Sequence, residues 1–426
     1  MAKLIYEGDR VLFTEEMKEE YTILIPSMAP YHFEFFTHVL QTEGYQAEVL
    51  KNTSFDLIHE GMKYTHNDIC VPAMLVIGQF INAIKEANYD PHKVAVIITQ
   101  TGGGCRASNY VNLIRKAFKK AGYPYIPIIS VNANGLEKNP GFQVTTKLLF
   151  KLINALMFGD LLMQLVNETL PYEKEQGQTM KVYHQVADDL NQYFYYNNLR
   201  VFFQPDKHIK KAVQAFEAIP IRKRNKPVVG IVGEIYVKYS PLGNNNLEQV
   251  LREEGCEVLT PNILDFFMYS FDSTIHDSKK YGGSKKEAIL FKLLNYAIEH
   301  RRNKVRNILR KSRYRVPKTF REIKSLAKGF IDYGTHVGEG WLLTAEMIEL
   351  IQIGAPNIVC TQPFGCLPNH IAGKGMIKKL KKAYPSANIV TIDYDTSATE
   401  INQLNRIKLM ISNALQKETP SNGQGF

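Results

Sequence analysis

Short, uninterrupted apolar runs alternate along the chain with longer segments whose apolar residues recur every three or four positions. Residues 21–26 (YTILIP) form one such run, 31–44 carry helical spacing, and 46–50 are the next strand-like run. Residues 73–86 are again helical in pattern. The run 93–99 (KVAVIIT) suits a strand covered on both faces. A glycine turn at 102–104 precedes a helical pattern over 108–121, and 125–132 (YIPIISVN) reads as another strand. This alternation predicts a parallel sheet with covering helices.

The middle of the chain is different. Residues 145–170, 181–197 and 209–218 all read as helices, with no strand between them. The basic, proline-bearing stretch 221–227 (IRKRNKP) reads as an interdomain linker. The alternation then restarts with strand 227–233 (PVVGIVG), helix 246–254 and strand 256–260. A basic helical stretch over 284–326 breaks near Pro317. It is followed by helix 341–353, strand 357–361 (NIVCT), the turn PFGCLPN, a helix from about 373, strand 388–393 and helix 399–415. The expected organisation is an α/β chain: an N-terminal lobe over 1–144, a helical connection over 145–220, and a C-terminal lobe over 227–416. The C-terminal lobe carries a basic helical segment at 279–328, and 417–426 are expected to be a disordered tail. Ligands in such sheets sit beyond the carboxyl ends of the strands.

Length and composition narrow the class. The 426 residues suffice for two domains, at roughly 100–200 residues each. No run of about 18 apolar residues suggests a membrane span. The opening MAKLIYEGDRVLFTEEM is too short in apolar length, and acidic too early, for a signal peptide. The expectation is a cytoplasmic protein with reduced thiols, and five cysteines do not make a disulfide framework. The net charge of +10 is local: residues 279–328 hold 17 Lys and Arg against Glu287, Glu299 and Glu322. The rest of the chain is slightly acidic, so the charge describes a patch. Aromatic interleaving there is sparse, which argues against nucleic acid.

Three cysteines lie where a ligand would. Cys105 ends VAVIITQ-TGGGC, Cys366 ends NIVCTQ-PFGC, and Cys70 sits in NDICVPA just before a helix. Glycine and proline beside a cysteine let backbone crowd a bulky group, and helix starts aim N–H groups at sulfur. The shared text around Cys105 and Cys366 suggests equivalent turns in the two lobes. Spacing alone leaves two readings for these three, metal ligands or small buried hydrophobes. Cys256 in EEGCEV and Cys360 inside a strand read as the latter. Zinc is the competing metal, but the short paired spacings of structural zinc sites are missing. TGGGC is also a possible phosphate nest, although it lacks the GK[ST] of a P-loop and the GxGxxG spacing.

The segments NDICVPAMLVIGQFINAIK, TQTGGGCRASNYVNLIRKAFKKAGY and TQPFGCLPNHIAGKGMIKKLKKAYPSANIVTIDYD together resemble the 2-hydroxyacyl-CoA dehydratase component family. Relatives of that family include benzoyl-CoA reductase subunits and double-cubane cluster proteins. The likeness is greatest to the dehydratase-like C-terminal region of large fused CoA-enzyme activase proteins. It runs roughly from residue 21 to 414 and is weakest over 279–328. It implies two Rossmann-like, flavodoxin-like lobes with a cluster in the cleft between them. It also implies a [4Fe–4S] cluster on Cys70, Cys105 and Cys366 with one iron open, and glycine turns at Gly104 and Gly365 around it. An ATP-hydrolysing iron–sulfur activator would supply a low-potential electron. The dehydratases use that electron to form a ketyl radical and expel a β-hydroxyl from a CoA thioester. They are heterodimers, so a homodimer or a heterodimer with a related subunit is expected here. A double-cubane cluster is the alternative cofactor, but those relatives use six cysteines and this chain has five.

Further candidates surround these positions. His336 and Glu339, in DYGTHVGEGWLL, are candidates for general acid or base; Glu339 could instead cap the helix start at Trp341 and His336 lie on the surface. Arg106 and Asn109 follow Cys105 and could bind sulfide or a substrate carboxylate. His370 and Lys374 follow Cys366, and His66 precedes Cys70; each is also an ordinary polar residue near a helix end. The basic segment is either a solvated face, a dock for an acidic activator, or a site for CoA phosphates. Two functional classes result: an activated dehydratase/reductase-like enzyme component acting on a small or CoA-linked substrate, or a non-catalytic electron-relay or cluster-scaffold protein. A third reading is a structural module without a cluster.

Overall fold

The computed structural model describes every residue except 1, 55, 67, 87–88, 101–102, 132–136, 196–204, 223–224, 397–399 and 419–426. An N-terminal hairpin pairs β1 (Tyr6–Glu7) with β2 (Arg10–Val11). The chain then builds two Rossmann-like lobes, each on a four-stranded, all-parallel sheet flanked by helices. In the first, β3 (Thr22–Ile25), β4 (Gln46–Val49), β5 (Val94–Thr99) and β6 (Ile128–Val131) stand in the order β4-β3-β5-β6. In the second, β7 (Val228–Gly233), β8 (Glu257–Leu259), β9 (Asn357–Pro363) and β10 (Asn388–Tyr394) stand in the order β10-β9-β7-β8. Counted within each lobe, both orders are 2-1-3-4, the flavodoxin-like winding. The chain reverses direction across the sheet between the first and third strands, β3/β5 and β7/β9.

The strands form where β-branched runs can be covered on both faces. Val94, Ala95 and Val96 are buried in β5, and every residue of β9 is buried. Gly230 in β7 makes room for Leu350, whose Cδ1 lies 2.5 Å from where a Cβ would stand.

The helical connection proves to be the centre of the molecule. Helix Thr146–Thr169 starts at Thr145, whose hydroxyl accepts from the Leu148 N–H at 3.1 Å. It is apolar on nearly all sides, and one core cluster built on it joins Phe35 and Phe158 to Tyr193, Phe216, Met268 and Trp341. Contrary to the expectation from residue runs, this helix is long and apolar enough to cross a membrane. However, 78% of its most apolar window is buried inside the protein, as in a central core helix. Asp160, on the same helix, takes the His32 Nε2 at 2.9 Å and caps the next lobe through the N–H groups of Ile263 (2.7 Å) and Leu264 (3.1 Å). The stretch 221–227 is not a free linker where it is described: Ile221 pairs with Glu173, and the Arg222 N–H donates to the Tyr172 carbonyl at 2.7 Å.

Several element limits differ from the expectations. Helix Ile263–Lys280 and the short helices Glu15–Glu20 and Leu57–Tyr64 were not anticipated. A helix begins at Leu367, directly after Cys366, and not near 373: Pro368 suits a first turn, where its missing N–H costs nothing. The basic segment divides into helices Lys285–Leu309 and Phe320–Leu326, the second restarted by a Thr319–Glu322 capping box after Pro317. The expected disordered tail lies, from 419 on, outside the described residues.

Candidate metal centre

Cys105 and Cys366 occupy equivalent places: each follows the third strand of its lobe, at the switch point. After β9 the chain turns through Phe364 and Gly365, and the Cys366 N–H closes the turn on the Pro363 carbonyl at 3.1 Å. Gly365 sits at φ +69°, the position where this turn favours glycine. Cys366 is then the N-cap of helix Leu367–Ala372. After β5, Gly103 (φ +80°) and Gly104 lead to Cys105, the N-cap of a 3₁₀ turn, Arg106–Asn109, that runs into helix Tyr110–Ala121. Thr101 and Gly102 of the TGGGC motif lie outside the described residues. The Cys70 carbonyl accepts from Ala73 (3.0 Å) and Met74 (3.2 Å), so Cys70 opens helix Val71–Glu86 in the same manner. All three thiols thus stand at helix starts. The backbone N–H of Ala73 favours the thiolate of Cys70, that of Ala107 the thiolate of Cys105, and that of Asn369 the thiolate of Cys366.

The loop Thr335–Gly340 brings the lobes together at this place. Positions where Cβ atoms of Gly103 and Gly104 would stand lie 3.9 Å from Val337 methyls. A Cβ on Gly338 (φ +59°) would stand 2.8 Å from the Pro368 ring, on the helix that Cys366 opens. The loop is therefore wedged between the Cys105 turn and the Cys366 turn. Tyr236 and Leu242 of the C-terminal lobe belong to the apolar core of the N-terminal one, closing the same junction.

Two carboxyls complete the site, Glu339 buried and Glu234 half-buried, and only Glu339 was foreseen. Glu339 accepts from the Ile235 N–H (2.9 Å) and from Asn369 Nδ2 (2.9 Å). It thus anchors the start of helix Ile235–Tyr239, and makes no side-chain cap at Trp341. Glu234 follows β7 directly, and its own carboxylate takes the Val237 N–H at 2.9 Å. Burial, then the nearby Glu339 charge, push the Glu234 carboxyl up to about 8. Burial likewise raises Glu339.

The thiols feel the same surroundings. Burial raises Cys105 to about 11, with Glu339, Glu234 and Cys70 adding to the rise. Cys366 is raised by burial, then by Glu339 and Glu234. Cys70 is raised by burial, offset by a hydroxyl contact with Tyr110 at 2.9 Å; Glu234 raises it further and Arg106 lowers it. All three thiols, from three distant segments, feel the Glu234 charge, and Cys105 and Cys366 feel Glu339 as well. The carbonyl oxygen of the buried Asn369 side chain has no hydrogen-bond partner. Thiols and carboxyls gathered at one place supply the donors that a cationic, sulfur-seeking group takes.

The size of such a group is limited too. A single tetrahedral ion with bonds of about 2.3 Å would need the sulfurs within roughly 4 Å of one another. Among the described residues no group of three Cys, His, Asp or Glu side chains is arranged to hold a single metal ion.

The other expected residues fall at varying distances from this chemistry. Arg106 is exposed, but its charge reaches Cys70. Asn109 is exposed and accepts from Asn112 at 3.0 Å. His336 bonds to Asp277 at 2.8 Å, on helix Ile263–Lys280. His370 Nδ1 donates to the Cys366 carbonyl at 2.9 Å, within its own helix. Lys374 is exposed beside Asp393, and His66 is exposed beside Asp68. Cys256 and Cys360 are core residues of the C-terminal lobe, as read; burial raises Cys360 to about 12. Glu234, Asn369 and Tyr110 were missed. Of these only Glu234 left a trace, an acid after glycine at the end of the buried run PVVGIVG.

The chain matches no family model and no curated protein.

Proposed function

We propose that this chain is the cluster-bearing component of a 2-hydroxyacyl-CoA dehydratase-type system. In this reading Cys70, Cys105 and Cys366 hold a [4Fe–4S] cluster with one iron open. An ATP-hydrolysing iron–sulfur activator delivers a low-potential electron, and the substrate is a CoA thioester or another small reducible molecule. One observation supports the reading: three thiols stand at three helix starts, two of them after the third strand of each sheet, and all three feel the Glu234 charge. A cubane takes one thiolate per iron, so three thiols leave one iron open. The cytoplasm suits five free thiols.

When bound, the cluster supplies one-electron transfer and a Lewis-acidic iron. The rest of the chemistry belongs to the chain. The N–H groups of Ala73, Ala107 and Asn369 hold the thiolates, and the Tyr110 hydroxyl adds a fourth donor at Cys70. Glu339 has two donors on its oxygens and is fixed as their acceptor. Glu234, pushed up by burial and by the Glu339 charge, is the group suited to carry a proton and pass it to a departing hydroxyl.

The test is anaerobic iron and sulfide analysis of the purified chain, followed by turnover of a 2-hydroxyacyl-CoA with activator and ATP. About four iron and four sulfide per chain are expected. A chain that retains no iron overturns the reading. A cluster that is reduced but converts no substrate makes the protein an electron relay instead.

A further inference from the structure

The basic segment changes character along its length. The inner part of helix Lys285–Leu309 belongs to the core. Arg302 grips both oxygens of the buried Asp265 at 2.6 and 3.1 Å, and Arg301 and Arg306 are buried as well. Lys304 pairs with Asp206 at 2.9 Å, and Phe291 stacks on Phe271 of helix Ile263–Lys280 at 4.9 Å. The positive charge of this half is used inside the protein.

The outer end is built the other way round. Ile289, Leu290, Leu293 and Tyr296 are between 54 and 73% exposed, and Tyr281, in the turn joining the two helices, is 67% exposed. A helix advances about 100° per residue, so Ile289, Leu293 and Tyr296 fall within about 60° of one another. The buried Phe291, Ile298 and Val305 lie on the opposite side. The stripe therefore faces outward, where a surface helix is expected to be polar.

Lysines border this stripe. Lys285 and Lys292 stand on one side of it and Lys286 on the other, each no more than about 60° from Ile289. All three are exposed, as are Lys279 and Lys280 at the end of helix Ile263–Lys280. Of these five only Lys280 approaches a carboxylate among the described residues, Asp332 at 3.8 Å. Glu287 is the only acid between 279 and 296. It lies about 160° round the helix from Ile289, away from the stripe.

We propose that the outer end of this hairpin seats the chain on an anionic lipid surface, with the first turns of helix Lys285–Leu309 lying among the headgroups. An apolar stripe bordered on both sides by lysines is the build of an interfacial helix. The stripe enters the acyl boundary, and the lysines extend their stems and leave their ammonium groups at the phosphates. Tyr281 and Tyr296 stand before and after the stripe in the chain, and tyrosine favours headgroup depth. The lysines fix the sign of the lipid, since each adds attraction to a negative leaflet.

Other occupants match less of this surface. Side chains so exposed project as a ridge, and a protein partner would need a hollow of matching shape as well as acidic charge, whereas a bilayer accepts a ridge of any shape. A second copy would set lysine against lysine across a two-fold axis. Nucleic acid would use the lysines but leave the aliphatic side chains in water. The seat needs no cluster and goes beyond the activity proposed above.

The probes are phosphatidylcholine vesicles with and without phosphatidylserine, and the measurement is co-sedimentation of the purified full chain at low and high salt. The native chain is expected to sediment with phosphatidylserine vesicles and to stay in solution with phosphatidylcholine alone. Two variants are compared, Ile289→Ser/Leu293→Ser/Tyr296→Ser and Lys285→Glu/Lys286→Glu/Lys292→Glu. All six positions are exposed, so circular dichroism and melting temperature are expected to stay native. Each variant is expected to lower vesicle partitioning by about tenfold or more. What binding the serine variant keeps is expected to vanish in high salt, because only charge is left to hold it. Either variant decides the question if the other misfolds. A native chain that ignores phosphatidylserine vesicles, or folded variants that bind them as the native chain does, overturns the proposal. So does retention of the native chain on polyglutamate or duplex DNA without vesicle binding, which would assign the surface to an acidic protein or a nucleic acid.

Discussion

The side-chain amide of Asn369 donates to Glu339 at 2.9 Å and reaches the Cys366 sulfur at 3.4 Å, so one buried group ties a carboxyl to a candidate ligand. Asn369 is fully buried and can be replaced by nothing from solvent. Asn369→Ala removes both donations and leaves a buried carboxyl short of a donor. The expected cost is about 1–3 kcal/mol in chemical denaturation. Iron content after anaerobic loading is expected to fall with it. An unchanged denaturation midpoint would show that the amide does not support this pocket.

Gly338 and Gly365 both have positive φ, yet they should respond differently to alanine. A Cβ at Gly365 meets nothing within 4 Å, so Gly365→Ala costs only backbone strain, about 1 kcal/mol. A Cβ at Gly338 would stand 2.8 Å from the rigid Pro368 ring and push the Glu339 loop away from the Cys366 helix. Gly338→Ala is therefore expected to lower thermal stability more than Gly365→Ala and, in the cluster reading, to lose more iron. Equal iron contents in the two variants would contradict the wedge described for this loop.

The lobes were legible because their signals are local. KVAVIIT is apolar enough to be a strand covered on both faces, and β5 is Val94–Thr99. The text shared by Cys105 and Cys366 marked turns that do follow equivalent strands. Helix Ile263–Lys280 was not legible: eight of its eighteen residues are Phe, Tyr, Ser or Thr, five of them in the run FFMYSF, and they blur the helical period. The basic segment read as one patch because sequence shows charge but not burial, and Arg301, Arg302 and Arg306 are inside. The second carboxyl and its amide escaped for a related reason. Glu234 and Asn369 matter only because the Thr335–Gly340 loop presses Glu339 between them, which no local pattern records.

Burial also sets how stability should depend on pH. Burial, with Asp265 and Glu346 nearby, raises Glu349 from 4.5 to about 8. Burial raises Glu346 to about 7, although Lys238 donates to both its oxygens at 2.9 and 3.1 Å. In the folded chain these carboxyls keep protons that the unfolded chain releases above about pH 4.3. The folded state binds more protons, so stability falls as pH rises between the two values. The urea midpoint is thus expected to decrease from about pH 5.5 to about pH 8, with a shallower decrease in Glu349→Gln. A midpoint that rises over this interval would reverse the assignment.

The sharpest comparison lies between two cysteines of matching chemistry and different place. Cys105 is partly exposed, at a helix start, within reach of the charges of Cys70, Glu234 and Glu339. Cys360 is fully buried in β9, beside Gly373, whose Cβ position lies 3.2 Å from the Cys360 sulfur. In the proposed cluster reading, Cys105→Ser replaces a soft ligand by a poor one at a site with little packing to lose. It is expected to abolish the visible absorbance and the bound iron, with a small change in melting temperature. Cys360→Ser puts a hydroxyl into an apolar strand and is expected to cost about 1–3 kcal/mol while iron per folded chain stays at the native value. Iron analysis and thermal denaturation of both variants separate the two roles. If Cys360→Ser also loses its iron while folded, the ligand set is not Cys70, Cys105 and Cys366 alone.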